Sequence, residues 1–248
     1  MTAAVLILAG RRGGDDPLLS EHPGLASKAL LPVAGTPMIE RVMDAVRGLF
    51  VPVWVSGLTQ EEAGADVTEA PRADGPAGAL AAAVEAGAPT PLLVTTADHA
   101  LLDAAMVDEF VSKAAAAGAD MVVGFAERAV IEARFPTTKR TYLRFRDAQV
   151  SGCNLFYVAG SDALPAIRFW RRAEADRKTP WKLARHVGVG TLARYAAGRL
   201  TLPGVFEHAS RRTGARIAYV LMDRAEAAVD VDKPADLTLV EAVLAGEA

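Results

Sequence analysis

The chain has 248 residues, is 51% hydrophobic and 23% charged, and carries a formal net charge of −3. That composition excludes a disordered chain, and there is no run of eighteen apolar residues to form a transmembrane helix. The single cysteine, Cys153, excludes an intramolecular disulfide framework and fits the reducing cytoplasm, where the protein is expected.

The first apolar run, Ala3 to Ala9, is short and ends at Gly10, which predicts a buried parallel strand. It has no basic flank and stops too early to read as a signal peptide. Gly10-Arg11-Arg12-Gly13-Gly14 follows. Glycines let backbone N–H groups approach an anion, and arginines add fixed charge, so the loop is either a phosphate site or a plain tight turn. It is neither a Walker loop nor a dinucleotide fingerprint, because no Gly-Lys-Ser/Thr follows and the G-x-G-x-x-G spacing is missing. Pro37 suits the first turn of a helix running to about Leu49.

Val51 to Ser56 and Asp66 to Glu69 predict short strands. Asp74-Gly75-Pro76-Ala77-Gly78 reads as a turn leading into an Ala-rich helix to about Ala86. Leu92 to Thr96 predicts a buried parallel strand, with a helix over about 103–117 after it. Asp98 follows the strand, where α/β sheets bind ligands. It is either a metal ligand or a capping aspartate, while His99 reads as a turn residue, since Mg²⁺ prefers oxygen.

Asp120 to Phe125 predicts a strand, and residues 127–140 a charged loop. Thr141 to Arg146 and Val150 to Ala159 predict further strands, with Gly152 marking a bulge or close approach. Cys153 sits in that strand as a structural thiol. Residues 161–214 predict about three helices, broken near Pro180 and Pro203. Residues 168–216 hold twelve Lys/Arg against three Asp/Glu, so the remainder of the chain is acidic. This basic stretch is either a solvated helical face or a surface for an anionic partner, such as a phosphate or a membrane. Arg216 to Met222 and Ala227 to Val231 predict closing strands, and a helix runs to about Leu244.

Taken together, L-A-G-R-R-G-G and K-A-L-L-P-V-A-G-T-P-M-I resemble the signature of the MobA-like nucleotidyltransferases, within the sugar-phosphate and alditol-phosphate nucleotidyltransferase superfamily. The resemblance implies a Rossmann-like three-layer α/β/α fold with a mixed sheet, of the GT-A-like type, here with a helical insert. It implies a single domain. Residues 1–125 form its NTP-binding half, 126–160 its acceptor half, 161–214 a basic insert and 215–248 a closing element.

The resemblance implies that Leu8, Ala9, Gly10, Arg11, Arg12, Gly13, Gly14 and Lys28 hold the triphosphate. Asp74, Gly75, Pro76, Ala77 and Gly78 would lie against base and ribose. Asp98 and Asp232, the latter in the closing V-D-V-D-K-P-A-D-L, would bind Mg²⁺. Arg12, Lys28 and Asp98 carry the catalytic roles. Asp230 is a weaker metal candidate, and Asp236 reads as structural at a helix start. Lys139, Arg140, Asn154 and Lys182 are acceptor candidates. The chain departs from the family pattern at Gly10-Arg11, where a double glycine is usual.

The implied reaction moves an NMP from an NTP to a phosphorylated sugar, polyol or lipid-linked acceptor, releasing pyrophosphate. No nucleic acid is implied as a partner. Two alternatives remain: a molybdenum cofactor guanylyltransferase, and a glycosyltransferase using a nucleotide sugar.

Overall fold

The computed structural model describes residues 2–10, 16–64, 66–176 and 179–247. In chain order the elements are β1 (Ala4–Leu8), α1 (Pro17–Glu21), a 3-10 turn (Lys28–Leu30), β2 (Pro32–Val33), β3 (Thr36–Pro37), α2 (Met38–Arg47), β4 (Val53–Ser56), α3 (Gln60–Ala63), β5 (Val67–Glu69), α4 (Gly75–Glu85) and β6 (Leu92–Thr96). There follow α5 (Ala104–Ala116), β7 (Met121–Glu127), α6 (Arg128–Arg134), β8 (Leu143–Arg144), β9 (Gln149–Val158), α7 (Leu164–Ala175), α8 (Pro180–Val187), α9 (Val189–Ala196), α10 (Leu202–Thr213), β10 (Ile217–Met222) and α11 (Pro234–Leu244).

Among the described residues, eight strands form one sheet in the order β10-β7-β9-β6-β1-β4-β5, with β8 paired to β9. β9 runs antiparallel to β6 and β7, while the pairs β1–β4, β1–β6, β4–β5 and β7–β10 are parallel. Strand β1 is buried on both faces, which is why its sequence is continuously apolar. Val5 and Ile7 pack with Val42 and Val46 of α2 and Phe110 of α5. Ala4, Leu6 and Leu8 face the other way, onto Leu80 of α4 and Ile167 of α7. The sheet is thus mixed, parallel-dominated and covered by helices on both faces, as predicted.

Several local expectations are corrected. The charged stretch after β7 is not all loop, because α6 forms there. Its Ile131 is buried, and Arg128 pairs with Glu132 one turn on. The strand expected over 141–146 reduces to the two residues of β8. The strand expected over 227–231 does not form: residues 227 and 228 end a 3-10 turn that starts at Ala225, and 229–231 carry no strand pairing. The segment 161–214 has four α-helices rather than three, because Gly188, at φ +93°, separates α8 from α9. Part of its basic charge is paired: Arg168 with Glu85 of α4, and Lys182 with Asp176.

The bulge expected near Gly152 is present and lies just beyond it. Val123 of β7 faces Phe156, but Phe125 faces Gly152, so residues 153–155 of β9 oppose Gly124 alone. Asn154 takes φ +52° there. Cys153 is buried, and burial pushes its thiol pKa up, consistent with a structural role.

Candidate active site

The chain passes from β1 to β4 and β5 on one side of β1, then returns to β6 on its other side. This switch of direction opens a crevice beyond the carboxyl ends of β1 and β6. Leu8, Ala9 and Gly10 lead into it. The expected phosphate residues Arg11, Arg12, Gly13 and Gly14 lie outside the described residues. The base of the loop is pinned by Ala9 N–H donating to the Ser56 carbonyl at 2.7 Å. Gly57, which sequence reasoning missed, presses on this loop. A Cβ there would fall 2.5 Å from the Gly10 nitrogen, and its φ is +105°. Only glycine fits both constraints. The sole sequence signal was a glycine directly after a short strand.

Lys28 begins a 3-10 turn capped by Ser27. Its ammonium donates to Asp98 Oδ2 at 2.8 Å and to Asp232 Oδ1 at 2.7 Å. Three residues expected in the site, spread over 204 positions, are therefore in direct contact. Val231 N–H donates to the Asp98 carbonyl at 3.0 Å, which ties the closing segment to the end of β6. Asp236 plays the structural role expected of it: its carboxylate accepts from the N–H groups of Asp232 and Lys233. Burial alone pulls the Lys28 pKa down, but Asp98 and Asp232 outweigh it and hold the ammonium above its ordinary value.

Asp98 Oδ1 is buried and has no hydrogen-bond partner among the described residues. An unpaired buried carboxylate oxygen is costly, so it points to a cationic ligand. Among the described residues no group of three or more His, Cys, Asp or Glu side chains forms a metal cluster. Mg²⁺ fits regardless, because it commonly takes one or two protein carboxylates and completes its shell with phosphate oxygens and water.

Asp230 is committed elsewhere. Its Oδ1 pairs with Arg140 Nη1, and Asn154 Nδ2 donates to its Oδ2 at 3.4 Å. The positive φ of the bulged Asn154 thus serves this contact. Burial raises the Asp230 pKa, Arg140 opposes that rise, and the charges of Asp232 and Asp98 add to it. With both oxygens engaged, Asp230 is a poorer metal ligand than Asp98 or Asp232. Of the acceptor candidates, Arg140 and Asn154 therefore meet on one carboxylate, Lys139 is exposed beside them, and Lys182 lies on α8 against Asp176.

His99 lies in the turn after β6, where its N–H donates to the Thr96 carbonyl at 3.3 Å, but it is 1% exposed, and burial lowers its pKa to about 4. The Asp74–Gly78 stretch begins α4 at Gly75, which has φ +70°. Ala77 N–H donates to Glu174 Oε2 of α7 at 3.3 Å, a contact across 97 positions that the sequence did not suggest.

The family model of the MobA-like NTP transferase domain matches residues 5–197. The chain belongs to the MobA-like NTP transferase family. A hypothetical transferase from Thermus thermophilus is 33% identical over 96% of this chain and all of that one, with a TM-score of 0.82. A 2-C-methyl-D-erythritol 4-phosphate cytidylyltransferase from the same organism is 19% identical over 98% of each chain, with a TM-score of 0.55. A CMP:2-keto-3-deoxy-manno-octonic acid synthetase complexed with CTP is 16% identical over the full length of both, with a TM-score of 0.56. The last two likenesses show the fold alone. No curated protein matches the chain. For this MobA-like transferase, Lys28, Asp98 and Asp232 therefore lie together at the crevice of a nucleotidyltransferase fold. Among the described residues, no helix is long and apolar enough to cross a membrane.

Proposed function

We propose that this chain is a Mg²⁺-dependent nucleotidyltransferase of the EC 2.7.7 type, moving an NMP from an NTP to a phosphorylated acceptor. The observation that carries the reading is the contact of Lys28 with both Asp98 and Asp232, beside an Asp98 oxygen that has no partner among the described residues. An acceptor phosphate oxygen attacks the α-phosphorus in line, a new P–O bond forms, and the bond to the β-phosphate oxygen breaks to release pyrophosphate. A phosphate dianion is already a nucleophile, so no side chain need remove a proton.

Lys28 has three donors, so it can keep a carboxylate while donating to a phosphate oxygen. Asp98 and Asp232 are the residues that would hold Mg²⁺, which when bound supplies Lewis-acid stabilisation of phosphoryl charge. Arg140, clamped by Asp230, is preorganised, and its remaining donors suit an acceptor phosphate together with Lys139.

The test is pyrophosphate release with Mg²⁺, each NTP, and a panel of sugar, polyol and lipid-linked phosphates. Pyrophosphate formed in equal amount to a nucleoside-diphosphate product is the expected result. Release of a nucleoside diphosphate from a nucleotide sugar, with no pyrophosphate from any NTP, would establish the glycosyltransferase alternative instead.

A further inference from the structure

The three charged groups of the site differ in their freedom to move. Asp98 and Asp232 sit on segments tied to each other, since Val231 N–H donates to the Asp98 carbonyl at 3.0 Å. Asp232 is held further by its own N–H, which donates to Asp236 Oδ2 at 3.1 Å. The Lys28 backbone is fixed too. Ser27 is buried and its hydroxyl accepts the Ala29 N–H at 3.3 Å, while Leu31 N–H donates to the Lys28 carbonyl at 2.9 Å. Beyond that backbone lies a four-carbon stem with more rotatable bonds than either carboxylate, in a side chain 18% exposed to solvent. Of the three, the ammonium is the group that can leave without moving the chain.

The ammonium also occupies the position that a metal ion held by both carboxylates would need. It touches one oxygen of each, at 2.8 and 2.7 Å, so those two oxygens are within reach of a single cation, and that cation is a lysine. Two cations cannot share the position, because an ammonium and a divalent ion at contact distance repel strongly in a site shielded from water. A divalent cation therefore competes with Lys28 for the same oxygens. The triphosphate of an NTP changes that balance. It offers the ammonium other oxygens and supplies further oxygen ligands to the metal.

We infer that Lys28 is the resident counter-ion of the Asp98–Asp232 pair: it keeps a divalent cation out of the free protein and yields those oxygens when a nucleoside triphosphate takes up its ammonium. The inference rests on the nucleotide reading above and adds an order of assembly to it, in which metal and nucleotide enter together. Each then strengthens the binding of the other by the same factor.

The experiment is titration of Mn²⁺, as a spectroscopic probe for Mg²⁺, into wild type, Lys28→Met, Lys28→Gln and Lys28→Met/Asp98→Asn without nucleotide. Free Mn²⁺ is read by electron paramagnetic resonance. Lys28→Met is expected to bind Mn²⁺ about 10–100-fold more tightly than wild type. Mn²⁺ should raise the Tm of that variant and leave the wild-type Tm unchanged. Lys28→Gln carries no charge but keeps a donor for one carboxylate, so it should fold even if Lys28→Met does not, and should show a gain in the same direction. The double variant should lose the gain, because one carboxylate of the pair is gone. Mn²⁺ bound no more tightly by either single variant than by wild type overturns the inference, as does a double variant that keeps the gain. Calorimetric titration of each NTP with Mg²⁺ into wild type tests the nucleotide reading separately. NTP binding with no gain in Mn²⁺ affinity keeps that reading and removes the role of Lys28. A gain in Mn²⁺ affinity with no NTP binding keeps Lys28 as the counter-ion and overturns the nucleotide reading.

Discussion

Asp98→Asn is expected to lower the rate of nucleotidyl transfer by about 10²–10³-fold, the loss of roughly 3–4 kcal/mol of transition-state stabilisation. The substitution keeps the shape and removes the charge. It should leave the fold intact, because among the described residues Asp98 Oδ1 makes no hydrogen bond and Oδ2 is bonded only by Lys28. Lys28 retains Asp232 at 2.7 Å. The effect should fall on kcat more than on KM, since the carboxylate acts where charge develops on the phosphoryl group. Pyrophosphate release under saturating NTP, alongside a thermal melt, measures both quantities. A variant that keeps a rate within about threefold of wild type would remove Asp98 from the catalytic machinery.

Arg140→Met is expected to destabilise the fold by about 3–5 kcal/mol at neutral pH, the range for breaking one side of a buried ion pair. Arg140 is nearly buried, at 9% side-chain exposure, and Asp230 sits among the charges of Asp232 and Asp98. Without the guanidinium, the long contact from Asn154 is the one hydrogen bond left to the side chain among the described residues. The double variant Arg140→Met/Asp230→Asn should recover much of the loss, because no uncompensated charge is left.

The pH dependence has a definite sign. The folded pKa of Asp230 is already raised by burial, and removing Arg140 raises it further. Between the unfolded value of about 3.9 and the raised folded value, the native state holds a proton that the unfolded chain has released. That contribution is fully present below the unfolded pKa and is lost as pH rises through the folded one. The deficit of Arg140→Met against wild type should therefore be larger at pH 8 than at pH 5 in urea denaturation. Arg140 also helps to lower the His99 pKa, so its removal eases that depression and lessens the loss of stability at low pH, which acts in the same direction. An equal deficit at both pH values would contradict the assignment to Asp230.

The parts of the fold that were legible in the sequence are those in which local pattern and final environment agree. Leu92–Thr96 was bounded correctly because a strand buried on both faces reads as an unbroken apolar run. Lys28, Asp98 and Asp232 were legible through family motifs, and the structure brings them into contact. The misses have physical causes. Helix α6 is short, and its charged residues cover one buried isoleucine, so its apolar period is too brief to stand out. Ala227, Ala228, Val229 and Val231 are buried without strand pairing, and an apolar run alone does not separate that from a strand. Gly57, the Arg140–Asp230 pair and the Glu174 contact with Ala77 depend on segments that meet only in the folded chain. Local sequence carries no record of such meetings.

Whether Lys28, Asp98 and Asp232 hold a nucleoside triphosphate is tested most directly by thermal melts of wild type and Asp232→Asn with each NTP, with and without Mg²⁺. At about 100 times Kd, one NTP should stabilise the wild type by about 2.7 kcal/mol, a Tm rise on the order of 5–10 °C. The shift should require Mg²⁺ and should largely vanish in Asp232→Asn. A shift of equal size in that variant or without Mg²⁺, or no shift with any of the four nucleotides, would contradict the site.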